Sequence, residues 1–163
     1  MSNNKKQEKI FSFLEKLDIP YEVHQHPPVH TVEEAETYWK EIEGAHTKNL
    51  FLRDNKGKRH FLVVMEKNQA ADLGAISGKL GAGKLSFASD NRLAKYLNLE
   101  KGAVSPFGLI NDEENQVEVV LDKKLKNKKQ INFHPNVNTA TLTITYQDFE
   151  RFLETCGNKV LYI

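Results

Sequence analysis

The chain has 163 residues, of which 39% are hydrophobic and 28% charged, and its formal net charge at pH 7 is +1. This size predicts a single domain, residues 1–163, that is long enough to bury a core. The near-neutral charge predicts no strong general attraction to nucleic acid, although a local basic face is compatible with it. Cys156 is the one cysteine, which excludes an intrachain disulfide, and no apolar window approaches the roughly 20 residues of a bilayer-spanning helix. A cytoplasmic protein in a reducing compartment is therefore expected.

The N-terminal segment predicts two helices separated by a short strand. Apolar side chains at helical spacing predict an amphipathic helix over residues 6–18. Residues 21–25 alternate in polarity and predict a strand that leads into a stiff His-Pro-Pro stretch. Thr31 and Glu34 have the spacing of a capping box, which predicts a helix over about residues 31–41.

The central segment predicts a hairpin followed by alternating helices and strands. Two β-rich runs, 49–53 and 60–65, flank a turn-forming stretch. A glycine-containing helix is predicted over 68–80, a strand over 85–88, and a helix over 90–97 with a serine at its N-cap.

The C-terminal segment is rich in predicted strands. Residues 104–110 predict a loop that runs into a strand, and residues 147–155 predict an amphipathic helix. Further strands are predicted over 117–121, 131–133, 139–145 and 159–163. The interspersed helices and strands, with one local hairpin, favour a mixed sheet with helices packed around it over a doubly wound parallel sheet.

Two patterns suggest ligand sites but lack essential parts. Residues 78–84 have the glycine and lysine spacing of a phosphate-binding loop, yet Leu85 stands where a magnesium-binding Ser or Thr belongs. His24, His26 and His30 lie close in sequence, but no Cys or carboxylate partners follow at a recognisable zinc spacing. A flexible turn and ordinary loop or strand histidines are the favoured interpretations.

Candidate nucleophiles and basic side chains also have simple structural explanations. Cys156 near a helix end is typical of a half-buried thiol, and Ser105 lies outside any G-x-S-x-G elbow. Lys48 at the start of a strand is either a solvated charge or a cation that points into a cleft. His134 lies in a turn rich in Pro and Asn, where a structural role is the commoner one.

Four segments, taken in order, resemble the prolyl-tRNA editing (YbaK/ProX) family. They are His26-Pro27-Pro28 with Thr31-Val32-Glu33-Glu34-Ala35, Lys48-Asn49-Leu50-Phe51-Leu52, Gly102-Ala103-Val104-Ser105-Pro106-Phe107-Gly108, and His134-Pro135 with Asn138-Thr139-Ala140-Thr141. Each segment is weak alone, but four in the right order, spread over about residues 20–163, are specific. The branch that the sequence resembles most is the alanyl-tRNA(Pro) deacylases, and the sister branch clears cysteine from the same tRNA.

The resemblance implies a single mixed α/β domain with a mixed or antiparallel, barrel-like sheet surrounded by helices. It implies a hydrolase that cleaves the ester of a wrong amino acid on tRNA(Pro), without cofactor or metal. Its expected partner is the acceptor end of that tRNA, alone or beside prolyl-tRNA synthetase, with no role for a membrane or for DNA. The alternatives are a cysteinyl-tRNA(Pro) deacylase of the same family and a non-catalytic tRNA- or synthetase-binding module.

The resemblance also implies roles for particular residues. Lys48 and His134 are the expected catalytic residues: the lysine holds the terminal phosphate or the substrate carbonyl, and the histidine orients the ribose or the attacking water. Backbone amides near Phe107 and Gly108 are expected to stabilise the developing oxyanion. The expected substrate-binding residues are Asn49, His30, Ser105, Pro106, Phe107, Gly108, Asn138 and Thr139. His30 departs from the family, in which an aromatic residue usually follows Val29.

Two further expectations concern the substrate. No general base stands out, and the family resemblance suggests substrate assistance, in which the free ribose hydroxyl helps to activate water. A pocket that fits a methyl group is expected to exclude the proline ring. The densest basic run is either a solvated face or a contact surface for the acceptor stem. It consists of Lys123, Lys124, Lys126, Lys128 and Lys129.

Overall fold

The structure is a computed structural model that describes residues 3–29 and 31–163. Its strands form one mixed sheet in the order β1-β7-β6-β2-β3-β5-β8, and the short β4 pairs with β2. The strands are β1 (Glu22–Gln25), β2 (Ala45–Arg53), β3 (His60–Glu66), β4 (Ser86–Phe87), β5 (Val117–Leu121), β6 (Gln130–Phe133), β7 (Ala140–Thr145) and β8 (Val160–Tyr162). The helices are α1 (Asn3–Lys16), α2 (Val32–Trp39), α3 (Leu73–Leu80), α4 (Asp90–Leu97) and α5 (Tyr146–Cys156).

The pairing of the strands confirms the expected mixed sheet. β2 and β3 form the predicted antiparallel hairpin, in register from Thr47 opposite Glu66 to Arg53 opposite His60. β3 pairs in parallel with β5, and β5 in parallel with β8, whereas β7 is antiparallel to both β1 and β6. Local hairpins and longer crossovers therefore contribute to the same sheet, as interspersed helices and strands require.

Both faces of the central strands are buried, because successive side chains of a strand point to opposite sides. On β3, Leu62 and Val64 pack into a large core with α5, while Phe61 and Val63 pack on the other face against α3. Both pairs are fully buried, which explains why residues 61–65 of this strand are all apolar instead of alternating with polar residues. Across the described residues, no helix is both long and apolar enough to cross a membrane.

The glycine-lysine stretch 78–84 closes a helix instead of opening one. It contains the last turn of α3, and Gly81 caps that helix in the left-handed conformation at φ 63°. Gly81 N–H and Ala82 N–H donate to carbonyls of the last turn, as helix C-caps do. A phosphate-binding loop needs the opposite arrangement, with its amides at a helix N-terminus, so the phosphate-loop interpretation is wrong.

Residues 104–110 differ from the sequence-based expectation. Instead of entering a strand, the chain forms a 3₁₀ helix over Pro106–Asn111. Ser105 caps it by accepting a 3.1 Å hydrogen bond from Phe107 N–H. Pro106 suits the first position, because its fixed φ fits a helix and its missing N–H would have had no partner there. The Ser105 cap and Pro106 therefore start a helix here, although the side chains that follow favour a strand.

Gly108 is required by packing inside this 3₁₀ helix. A Cβ at position 108 would lie 2.7 Å from Leu99 Cδ1 and 3.1 Å from Leu97 Cβ. Leu99 has a movable side-chain end, but Leu97 Cβ is fixed by α4, so the neighbours can relax only in part. We expect Gly108→Ala to lower the free energy of unfolding by about 1–3 kcal/mol, the usual cost of overpacking a core.

Urea denaturation of the purified variants measures this effect. Gly102→Ala is the comparison on the same loop, because a Cβ added there would meet no heavy atom within 4 Å, although the φ of +91° adds backbone strain. If Gly108→Ala has the same free energy of unfolding as the wild type, a Cβ at position 108 does not clash with Leu97 and Leu99.

Candidate active site

A gap in the pairing of β2 creates a hollow in the sheet. One edge of β2 pairs with β3 along residues 47–53, whereas the other edge pairs with β6 at 45–46 and with β4 at 52–53. Between these two pairings no described strand covers residues 48–50. A hollow of about 240 Å³ opens there, which we call the β2 hollow.

The β2 hollow is lined from four separate parts of the chain. Its floor is Thr47, Lys48 and Asn49 of β2, and His134 enters from the end of β6. The remaining walls are Val29, Thr31, Ala35 and Trp39 around α2, and Gly102 and Val104 of the loop after α4. Sequence analysis had selected Lys48, Asn49 and His134, and the structure brings all three together.

Lys48 contributes an uncompensated positive charge. No carboxylate of the described residues lies within ion-pair distance of its ammonium group. The side chain is half-buried, which limits its solvation without removing it from water. An ammonium held beside a small hollow in this way attracts an anionic or polarised oxygen.

Asn49 contributes an unused acceptor. Its Nδ2 donates to Thr47 Oγ1 over 3.4 Å, a long hydrogen bond, and its Oδ1 is buried without a partner. A buried carbonyl oxygen left unpaired is costly, so such groups commonly mark a place where a ligand donor binds.

The backbone of Asn49 also faces the gap. Lys67 N–H donates to His46 O on the β3 side, and Ala88 N–H donates to Phe51 O on the opposite side. Because backbone groups of a strand alternate in direction, the odd-numbered residues 47, 49 and 51 direct theirs away from β3. No described strand pairs with β2 at Asn49 on that side, so its N–H is a donor at the hollow.

His134 is held in a defined protonation state. Its Nδ1 lies 3.1 Å from Ala140 O, and since a carbonyl only accepts, Nδ1 carries the proton. Burial lowers the pKa of His134 below its ordinary 6.5, and the nearby His26 lowers it further, while the Ala140 carbonyl opposes both. At neutral pH the imidazole is therefore uncharged, and its Nε2 is an acceptor.

Helix α2 forms one side of the β2 hollow. Thr31 Oγ1 accepts from Glu34 N–H and fixes the start of the helix, as the capping pattern predicts. At its end the Trp39 ring stacks on His46, with centroids 4.9 Å apart, and Lys67 lies over the same indole. This stacking joins the end of α2 to β2 at a residue that lines the hollow.

The predicted role of the 105–108 segment needs correction. Ser105, Pro106, Phe107 and Gly108 are buried and do not line the β2 hollow. Phe107 N–H donates to Ser105 Oγ and Gly108 N–H donates to Ser105 O, so neither amide is free to stabilise an oxyanion. The same loop does reach the hollow, but through Gly102 and Val104, a few residues earlier.

Asn138 and Thr139 lie behind the hollow rather than in its wall. Asn138 Nδ2 donates to Val29 O over 3.4 Å, and Thr139 O accepts from His26 N–H at 2.9 Å. They therefore hold the irregular segment after β1 that carries Val29. The expected pocket residue His30 lies outside the described residues.

The lysine run forms a partly engaged basic surface. Lys128 pairs with Glu66 at 2.9 Å, and Lys126 lies 3.8 Å above the Tyr162 ring. All five lysines are exposed on or beside the short 3₁₀ helix Lys123–Asn127. Glu66 of β3 lies opposite Thr47 of β2 in the sheet, and Thr47 lines the hollow. The Lys128 end of the lysine run therefore lies one strand away from the hollow.

Other candidate groups are not arranged for chemistry. Burial raises the pKa of the Cys156 thiol to about 12, which keeps it protonated and unreactive at neutral pH. Within residues 3–29 and 31–163, no three His, Cys, Asp or Glu side chains cluster closely enough to hold a metal ion.

Several lining residues escaped sequence analysis. Val29, Trp39, Thr47, Gly102 and Val104 line the hollow but carry no chemistry-bearing pattern. Val29, Gly102 and Val104 lie within or beside the segments that carry the family resemblance, which was the only signal for them. Trp39 could be found only as the one tryptophan at the end of a predicted helix.

The buried histidines predict a dependence of stability on pH. Burial is the main cause that lowers the pKa of His46, His60 and His134 below 6.5. In the unfolded chain these histidines take up protons near pH 6.5, whereas in the folded chain they do so only at lower pH. The stability that the three neutral histidines contribute is therefore complete above pH 6.5 and is lost as the pH falls below it. Asp54 behaves differently, because backbone N–H groups, chiefly that of Arg59, donate to its carboxylate and lower its pKa below 3.8. The stability that the Asp54 carboxylate contributes is therefore lost only in stronger acid.

Urea unfolding at intervals from pH 8 to pH 5 measures this dependence. We expect a flat free energy of unfolding down to about pH 6.5 and a decline below it. In His60→Gln the free energy of unfolding should decline less steeply, because one of the three histidines with a lowered pKa is absent. A free energy that stays constant or rises between pH 6.5 and pH 5 would contradict the histidine assignment.

Comparison with known proteins identifies the family. A model of the aminoacyl-tRNA editing domain matches residues 26–152. The chain belongs to the aminoacyl-tRNA editing domain family. The resemblance drawn from the four sequence segments is thereby confirmed, together with the expectation of an editing enzyme.

Relatives of this editing domain span nearly the whole chain. It is 48% identical to the prolyl-tRNA editing protein ProX of Acetoanaerobium sticklandii over 149 residues, which cover 91% of each protein. It is 39% identical to prolyl-tRNA synthetase associated domain-containing protein 1 of Danio rerio, over 90% of this chain and 80% of the relative. A crystal structure described as a candidate trans-editing enzyme for prolyl tRNA synthetase shares its fold, with a TM-score of 0.73 at 20% identity over 99% of this chain and 97% of that one.

Proposed function

We propose that this editing domain hydrolyses the ester that joins a wrong amino acid to tRNA(Pro), with alanine as its preferred substrate, in the cytoplasm. The observation that carries the proposal is the convergence of Lys48, Asn49 and His134 on one small hollow. The 48% identity to a prolyl-tRNA editing protein supports tRNA(Pro) as the carrier. The names of other relatives support prolyl-tRNA synthetase as a functional neighbour.

The reaction needs donors where negative charge develops on the ester carbonyl oxygen. Lys48 and the backbone N–H of Asn49 are the groups of the β2 hollow that supply them. Lys48 holds the carbonyl oxygen or the terminal phosphate through its charge, and the Asn49 N–H supplies a fixed dipole at the uncovered edge of β2. These groups replace the amides of Phe107 and Gly108 that the sequence suggested.

His134 orients the attacking water or the ribose. Because its Nδ1 proton is held by Ala140 O, its Nε2 accepts a hydrogen bond from either hydroxyl-bearing group. Water attacks the carbonyl carbon, the bond from that carbon to the ribose oxygen breaks, and the ribose oxygen takes up a proton. The products are the free amino acid and tRNA with an intact terminal ribose, and the neighbouring ribose hydroxyl assists the proton transfer.

The size of the hollow favours a small amino acid. Its volume of about 240 Å³ must take the ester, an edge of the ribose and the amino-acid side chain. It lies below the range of about 300–1,000 Å³ that is typical of ligand pockets. Val29, Ala35 and Val104 supply apolar walls for a methyl group, and the unpaired Asn49 Oδ1 accepts from the α-ammonium group. Steric exclusion of the proline ring then separates the wrong amino acid from the right one.

The lysine run is proposed as the contact surface for the acceptor stem. Lys123, Lys124 and Lys129 are exposed and form no ion pair with a described residue. Cations of this kind bind phosphates without reading sequence, and their contribution weakens with salt.

A deacylation panel tests the proposal. tRNA(Pro) charged with alanine, cysteine, serine or proline is incubated with the purified protein, and release of the labelled amino acid is followed over time. We expect rapid release of alanine and negligible release of proline.

Each result of the panel has a definite meaning. Faster release of cysteine than of alanine would assign the protein to the sister specificity. Tight binding of all four without turnover would replace the enzyme by a non-catalytic tRNA-binding module.

A further inference from the structure

Phe87 is exposed without a structural reason. Among the described residues it is the one large apolar side chain that is exposed, with 62% of its surface accessible. It belongs to neither buried core, and its strand β4 consists of two residues paired to the edge of β2. An aromatic ring on a rigid strand, facing solvent, loses little conformational entropy when a ligand stacks on it.

Phe87 lines a second hollow that continues from the first. This Phe87 hollow has a volume of about 500 Å³ and apolar walls that include Leu50 and Leu93. It shares Asn49 and Val104 with the β2 hollow, so the two are neighbours across the same residues. A ligand that reacts in the β2 hollow can therefore extend directly onto Phe87.

The charged groups of the Phe87 hollow select its occupant. Lys101 and Asp90 both line it, and both are exposed. The Asp90 carboxylate repels phosphate but accepts hydrogen bonds from an exocyclic amino group, whereas the Lys101 ammonium attracts phosphate. An apolar floor, an aromatic ring, one acceptor and one cation together fit a nucleotide whose base stacks and whose backbone passes the lysine.

We propose that the Phe87 hollow binds the terminal nucleobase of the aminoacylated tRNA, the adenine attached to the ribose that carries the ester. This inference rests on the proposed function, since that ester is what places the base beside the β2 hollow. Phe87 supplies the stacking platform, and Asp90 accepts from the adenine amino group. Phe87 is thus a positioning residue for the reaction, because it holds the base and through it the ester.

A binding measurement tests the platform without any turnover. The probe is uncharged tRNA(Pro) in which 2-aminopurine, a fluorescent purine that is quenched by stacking, replaces the terminal adenine. We expect the wild-type protein to change its emission on binding, Phe87→Tyr to do the same, and Phe87→Leu to lose most of the change. Equal responses of the Leu and Tyr variants would overturn the stacking assignment.

A kinetic comparison then tests the coupling to hydrolysis. The substrates are alanyl esters of adenosine 5′-phosphate and of the matching abasic ribose 5′-phosphate. Removing an aromatic ring from a stacked base costs a factor of about 5 to 150 in binding, so Phe87→Leu should lower kcat/KM for the adenine ester by such a factor. The abasic ester should react equally with both proteins, because it has no base to stack.

The outcomes separate this inference from the proposed function. If alanyl-tRNA(Pro) is hydrolysed but Phe87→Leu affects both small esters alike, the platform is overturned and the enzyme remains. If no ester is hydrolysed, the enzyme is overturned, and the 2-aminopurine response alone decides on the platform.

Two controls test whether unfolding or self-association causes the effect of Phe87→Leu. Since Phe87 is exposed, the melting temperature of Phe87→Leu should stay within about 2 °C of the wild type. Light scattering should give the same mass for both proteins. A mass that falls in Phe87→Leu would show that a second copy of the chain covers the ring, which would overturn the nucleobase assignment.

Discussion

Replacing Lys48 by alanine is expected to reduce kcat/KM for alanyl-tRNA(Pro) by about 10²–10³-fold, the usual effect of losing one donor to a developing oxyanion. The lysine is half-buried in the β2 hollow and no described carboxylate compensates its charge. Its removal leaves the Asn49 N–H as the other donor that the proposal assigns to the ester carbonyl oxygen. Single-turnover release of alanine from tRNA(Pro) measures the effect.

Matched variants separate charge from shape. Lys48→Met keeps the length of the side chain without its charge, and it should be as inactive as Lys48→Ala. Lys79→Ala removes an exposed lysine from the last turn of α3, outside both hollows, and should keep wild-type activity. Activity of Lys48→Met close to that of the wild type would show that the ammonium group is not required.

The positions of Lys48 and His134 could be anticipated because they lie in short segments that resemble a family. Their convergence depends on register, and register is readable only in part. The β2–β3 hairpin follows from local turn chemistry and was predictable, whereas the parallel pairing of Ala45 with Ile131 joins residues far apart in sequence. That long-range pairing is what leaves the edge of β2 uncovered at Asn49.

The 105–108 segment shows where resemblance misleads. A glycine in a loop motif suggests close approach to a substrate, and the sequence offers no means to distinguish a substrate from a neighbouring side chain. In the structure Gly108 packs against Leu99 and Leu97, and the loop meets the hollow at Gly102 and Val104 instead. Which side of a loop is buried is a tertiary property that local pattern does not encode.

Replacing Asn132 by alanine is expected to lower the free energy of unfolding by about 2–4 kcal/mol. The side chain is buried on β6, where its Nδ2 donates to Glu43 O at 3.0 Å and to Ala45 O at 3.3 Å. Its Oδ1 accepts from the Thr143 hydroxyl. Alanine leaves these groups without partners, and each buried polar group left unpaired costs about 1–3 kcal/mol, less where water reaches it.

The same substitution should reduce editing, because Asn132 anchors the start of β2. Its two donated bonds hold the carbonyls that precede Thr47 and Lys48, and Thr47 Oγ1 in turn donates to Asn132 O at 2.8 Å. A small displacement of β2 moves the Lys48 ammonium group relative to His134, and misplacement by about 1 Å can cost up to about 10²-fold in rate. We expect kcat/KM to fall by about 10-fold at a temperature well below the melting transition.

Thr143→Val is the matched control for this network. It removes one donor to Asn132 Oδ1 but keeps both bonds from Nδ2, so the anchor on β2 survives. We expect it to lose about 1–2 kcal/mol of stability with nearly wild-type kcat/KM. Urea denaturation and alanine release, measured on both variants, decide between an anchor and a general loss of packing. If the two variants lose activity in proportion to their loss of stability, Asn132 supports the fold without positioning Lys48.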